Sequence, residues 1–144
     1  MSLVFADVQA FIQSLYNTDP DAGPVELCPP ILPQYDAELV KKSPQELIFA
    51  TLGGGPGLST EEVLDGIFLS LRVCGRQKDY ASAETLALRL DTALLTLGAG
   101  NATMGSAPIK SLARSGGRPV PIDYDVGDRT HFQTTYVVTA QTGL

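Results

Sequence analysis

Apolar positions recur at helical spacing from the start of the chain. Val4, Phe5, Val8, Phe11, Ile12, Leu15 and Tyr16 share one face, with Asp7, Gln9 and Gln13 elsewhere. The spacing predicts an amphipathic helix over 3–16 with Ser2 as its N-cap. The pattern then breaks. Residues 17–45 hold six of the ten prolines (20, 24, 29, 30, 33 and 44). Proline removes a backbone donor and pushes its predecessor toward extended geometry, so this stretch reads as a surface-wrapping connection rather than a packed element. Leu27, Ile31, Leu32 and Leu39 tack it down in places.

Residues 46–52 are short, apolar and partly β-branched or aromatic, which predicts a strand that stops in Gly53-Gly-Gly-Pro-Gly57. Ser59 and Glu62 have capping-box spacing and predict one helical turn over 60–64. Strict alternation follows over 66–75. Ile67, Leu69, Leu71 and Val73 face one side, and Phe68, Ser70, Arg72 and Cys74 the other. Asp79 caps the clearest helix, whose apolar face is Ala83, Leu86, Ala87, Leu90, Ala93, Leu94 and Leu97 and whose expected stop is Gly98. Tyr80, Leu86, Leu90 and Leu94 are assigned to its buried side. Residues 98–108 are small. A third strand is expected over 109–114 and a fourth over 131–141, where Phe132, Tyr136, Val138 and Ala140 alternate with polar neighbours.

This order predicts one α+β domain over 1–144. Its parts are an N-terminal helix (1–16), a Pro-rich wrap (17–45) and a core (46–144). The expected architecture is a mostly antiparallel four-stranded sheet with two long helices packed on one face and a projecting C-terminal β-hairpin over 109–141. Gly116, Gly117, Pro119 and Pro121 lead into the acidic tip of that hairpin, which is read as an arm offered to a neighbouring subunit. Phe68 and Cys74 suggest that another subunit covers the second face of the sheet.

Composition narrows the function classes. The chain has 144 residues, 44% of them hydrophobic, no Trp and a net charge of −6. Such a surface repels phosphate and is a poor platform for base stacking, which argues against direct nucleic-acid binding. Cys28 and Cys74 stand apart, outside any CxxC or Cys/His arrangement, and fit a reducing compartment. The N-terminus lacks a basic leader segment, and no apolar run reaches the length of a membrane span.

The motifs that suggest chemistry are incomplete. Gly53–Gly57 lacks the Gly-Lys-Ser/Thr ending of a phosphate loop and reads as a tight turn. Asp123-Tyr-Asp-Val-Gly-Asp128 resembles the opening of a calcium loop, but Gly127 and Asp128 stand where an acid or amide and then glycine are required. His131 is the only histidine and sits in or beside a strand. No metal site and no cofactor are expected, and the reading is against an enzyme. Arg72, Arg76, Arg114, Arg118 and Arg129 are the cations suited to bidentate carboxylate pairing across an interface.

Several blocks in order carry a resemblance: Gly54-Gly-Pro-Gly-Leu-Ser-Thr-Glu, Leu64-Asp-Gly-Ile-Phe-Leu-Ser-Leu-Arg-Val-Cys-Gly-Arg, Asp79-Tyr-Ala-Ser-Ala-Glu, Gly117-Arg-Pro-Val-Pro-Ile and Asp128-Arg-Thr-His-Phe. The set resembles the tail terminator (minor capsid, head–tail joining) proteins of long non-contractile-tailed bacteriophages. It departs from them in the long proline-rich wrap and in Cys74-Gly-Arg, where Arg-Gly is expected.

The resemblance implies a structural protein of the virion, assembled in the host bacterial cytoplasm and placed at the head–tail junction. It implies a homo-hexameric ring that caps the tail tube, ends its polymerisation and meets a head-completion or connector protein. DNA would pass through the lumen without being specifically bound. Carried onto this sequence, Gly54, Pro56, Gly57 and Asp65 would shape the loop after the first strand. Arg72 and Arg76 would lie at a strand end, and Arg118, Asp125, Asp128 and Arg129 at the hairpin tip, offered to a neighbour. The alternatives are a connector ring of the same neck and, less favoured, a small metal-dependent hydrolase using Asp123, Asp125, Asp128 and His131.

Overall fold

The computed structural model describes residues 3–54, 64–100, 102–122 and 128–141; of Leu64, Asp65 and Gln141 it describes the backbone alone. The first helix, α1 (Phe5–Ser14), begins where Asp7 can reach back: its carboxylate accepts the Val4 backbone N–H at 3.0 Å. The cap is therefore Val4. Ser2, expected there, lies outside the described residues.

The proline-rich stretch is more structured than expected. It contains a 3₁₀ turn at Pro20–Ala22, a two-residue strand β1 (Ile31–Leu32) and a short helix α2 (Ala37–Lys42). Asp36 caps α2 by accepting from the N–H groups of Glu38 and Leu39. Val40 is fully buried, so part of this segment is a packed element. Proline density hid it, because a six-residue helix between prolines has too few turns to display a period.

β2 (Leu47–Gly54) and β3 (Leu64–Cys74) pair antiparallel, and Asp79 caps α3 (Tyr80–Gly98) through the Ser82 N–H. The remaining strands are β4 (Ala102–Met104), β5 (Ala107–Arg114), β6 (Val120–Ile122) and β7 (His131–Gln141). The sheet runs β1-β2-β3-β7-β5-β4, with β6 also on β7. β1 pairs parallel with β2 and the other pairings are antiparallel.

The expected four-stranded sheet is thus overturned. The described residues form a mixed, strongly curled seven-stranded half-barrel with three helices. The three strands that periodicity missed are two or three residues long and sit in Pro- or Gly-rich surroundings. The projecting hairpin is likewise not found. β7 pairs with β3 on one side and with β5 and then β6 on the other, so it lies inside the sheet. A strand paired on both edges satisfies its backbone groups within the protomer and leaves no ladder for a neighbour.

Alternation sets the two faces. The inner face carries Ile48, Leu69, Leu71, Val73, Phe132, Tyr136 and Val138 against Val8 and Ile12 of α1 and Leu86, Leu90 and Leu94 of α3. Tyr80 is half exposed and stacks edge-on against Phe132 rather than joining the core. On the outer face, α2 closes a small cluster of Val40, Leu47, Phe49 and Cys74. The chain's own helix, not another subunit, covers the Cys74 end. No helix among the described residues is long and apolar enough to cross a membrane.

Candidate interaction groove

α2 covers only one end of the outer face. At the other end, antiparallel register sets Phe68 opposite Val137 and Ser70 opposite Thr135, and the Ser70 and Thr135 hydroxyls are 3.3 Å apart. The chain leaves β5 after Arg114 and rejoins β7 through β6, where Val120 pairs with Gln133. The excursion is pinned at its start by the Ser115 N–H donating to the Thr135 carbonyl at 2.8 Å and at its end by buried Pro119. Between these points Ser115–Arg118 forms the wall of a groove of about 860 Å³. Phe68, Ser70, Gln133 and Thr135 line it from the sheet, and Val120 and Ile122 from β6. Val120 is 53% exposed, an apolar residue left on the rim.

The candidate residues scatter relative to this groove. Arg118 lines it and is exposed. Gly54 ends β2 opposite Ile67, one step along the ladder from Gly53 and Phe68. The backbone of Asp65 pairs with Ala140. Pro56, Gly57 and Asp125 lie outside the described residues, as does the turn expected over 60–64 except Leu64, which begins β3. Arg76 is spent on an exposed ion pair with Asp79 at 3.1 Å. Asp128 is exposed in a left-handed conformation (φ 56°), and its carbonyl accepts from the Lys78 N–H.

Arg129 is not offered to a neighbour. Only 2% exposed, it donates from Nε to the Gly75 carbonyl (2.7 Å), from Nη1 to those of Val40 (2.9 Å) and Ser43 (2.6 Å), and from Nη2 to that of Gln45. It ties the end of α2 and the chain entering β2 to the end of β3. Burial lowers its pKa, opposed by Cys74 and Glu46. The Asp-Arg dipeptide gave no sign of this, since the acceptors come from four backbone carbonyls distant in sequence.

A buried polar cluster with no local signature in the sequence lies on the covered part of the outer face. The Arg72 guanidinium lies 3.8 Å over the Tyr35 ring, and its Nε donates to His131 Nδ1 at 3.1 Å. Cys74 Sγ is 3.4 Å from the same nitrogen. This is a Cys/His pair in composition but not in chemistry. Both residues are fully buried, and desolvation pushes the Cys74 thiol up to about 11 despite Arg129 and Arg72. A thiol so placed behaves as a small hydrophobe rather than a nucleophile. Parity puts Arg72 and Cys74 on one face, but only the β3–β7 register brings His131 to them. His131 is also the one nitrogen ligand of the hydrolase alternative, and it is packed beneath Tyr35 and Arg72. Among the described residues no group of three His, Cys, Asp or Glu is arranged to hold a metal ion.

Beneath the sheet, Asp91 of α3 accepts from Arg114 and from the Tyr136 hydroxyl. This network fixes α3 against β5 and β7 and so sets the base of the groove wall. Compared with known proteins, the sequence matches no family model and no curated protein.

Proposed function

We propose that the chain is a structural ring protein that caps a phage tail tube and joins it to the head-completion proteins. What supports this reading, beside the ordered sequence blocks, is the unfinished outer face. One half is sealed by α2; the other ends in a groove with an exposed apolar rim and an arginine at its wall. Closed rings need two different patches that meet head to tail, and a face half sealed and half open supplies one of them. DNA traverses the lumen, where a net charge of −6 disfavours adhesion.

The test is the native mass of the purified protein with and without tail tube protein, by mass photometry. A closed ring, or a monomer that assembles only on tube ends, is the expected result. A chain that ignores the tube but assembles with head-completion protein would replace the terminator assignment with a connector one.

A further inference from the structure

The arginines of this chain are nearly all consumed within it. Arg72 engages His131 and Tyr35, Arg76 pairs with Asp79, Arg89 with Glu26, Arg114 with Asp91, and Arg129 binds four carbonyls. Arg118 is the exception. Among the described residues it makes no hydrogen bond and no ion pair. Asp91, the carboxylate on which its charge acts, lies beneath the sheet and is already held by Arg114 and Tyr136.

The groove that Arg118 walls has a chemistry unlike the rest of the molecule. In a chain with 16 acidic and 10 basic residues, none of the described residues that line it is a carboxylate. Beside Arg118, Ser70, Gln133 and Thr135 offer hydroxyl and amide donors, and Phe68 and Val120 offer apolar surface. A volume of about 860 Å³ suits a peptide segment of a few residues. Guanidinium is the group best shaped to take a carboxylate through two parallel bonds.

We propose that this groove receives a short acidic segment of a partner protein, its carboxylates on Arg118 and the hydroxyl row and its apolar side chains on Phe68 and Val120. The proposal rests on the ring reading for where that partner is found, and deepens it by naming the chemistry that must face this surface.

The experiment is fluorescence anisotropy on the full chain with three labelled probes: an acetylated Glu-Val-Glu-Val-Glu amide, its lysine counterpart, and a single-stranded oligonucleotide. The acidic peptide is expected to bind, to weaken as salt is raised, and to lose about tenfold in affinity in Arg118→Glu. That variant changes an exposed side chain without a described partner, and an unchanged melting temperature will show that it folds. Binding of neither peptide, equal binding of both, tighter binding of the oligonucleotide, or an unaffected Arg118→Glu variant overturns the proposal. Native mass is read separately. A ring that ignores the acidic peptide sinks this inference and leaves the ring reading. A chain that binds the peptide but never assembles does the reverse.

Discussion

The Tyr136 hydroxyl donates to Asp91 Oδ1 at 2.7 Å, joining the middle of β7 to α3 inside the core. Asp91 also takes Nε of Arg114 at 3.0 Å, so one carboxylate holds a helix and two strands together. Its pKa reflects the balance. Burial pushes it up, but the bonds from Arg114 and Tyr136 and the charges of Arg114 and Arg118 outweigh that and leave it lowered. Tyr136 goes the other way, raised by burial and by its bond to Asp91.

Asp91→Ala strands a buried phenol and a partly buried guanidinium, and is expected to cost about 3 kcal/mol, with Tyr136→Phe costing about 1.5 kcal/mol. Urea unfolding monitored by circular dichroism measures both. Because the folded-state pKa of Asp91 is lowered, its contribution is complete above the unfolded value of about 3.9 and is lost as pH falls through the folded one. The stability gap between wild type and Asp91→Asn should therefore be widest near neutrality and narrow below about pH 4. A gap that stays constant down to pH 2 would sink this account.

Arg129 is expected to be a stability residue. Arg129→Met removes donors from four carbonyls and should cost about 3 kcal/mol or more. Arg129→Lys should recover little, because one ammonium cannot reach a fan of acceptors built for a planar fork. The melting temperature of the isolated protein decides the matter. If Arg129→Met melts like wild type but fails to assemble, the side chain belongs to an interface after all.

Gly98 lies within α3, where a Cβ would sit 2.5 Å from the Leu112 carbonyl oxygen and 2.8 Å from Leu112 Cβ. In most helices Gly→Ala gains stability; here it should lose about 2 kcal/mol, because β5 must move away. Gly100, with nothing within 4 Å, is the control, and Gly100→Ala should change stability by less than about 0.5 kcal/mol. Equal effects at the two positions, in thermal or urea unfolding, would show that the helix–strand approach is looser than described.

The two thiols should differ in access. Cys74 is fully buried with its pKa pushed to about 11, while Cys28 is half-buried, raised by burial and lowered in part by Arg89. With an aromatic disulfide reagent at about pH 8, the native protein should release thiolate slowly from Cys28 alone, and the denatured protein from both. Rapid reaction of two thiols in the native state would contradict the sealed cluster under α2.

Wherever one face of an element spans enough residues to repeat, the sequence determined its identity. The alternation of Ile67, Leu69, Leu71 and Val73 specified β3, and the Leu86, Leu90 and Leu94 row behind Asp79 specified α3, because burial of one face imposes a period. β7 was legible in the same way. Sequence could not place β1, β4 and β6, since strands of two or three residues are held by the neighbour they pair with. Gly98 reads as a left-handed helix stop; it is indeed the last residue of α3, but its φ is not positive, and the close approach of Leu112 is the reason for glycine there. Arg129 and His131 show the limit most clearly. A guanidinium and an imidazole look exposed in sequence, and only the meeting of α2, β3 and β7 supplies the carbonyls and rings that let them be buried. Local pattern decides which way a side chain faces, but tertiary packing decides what it meets there, because its partners lie dozens of residues away.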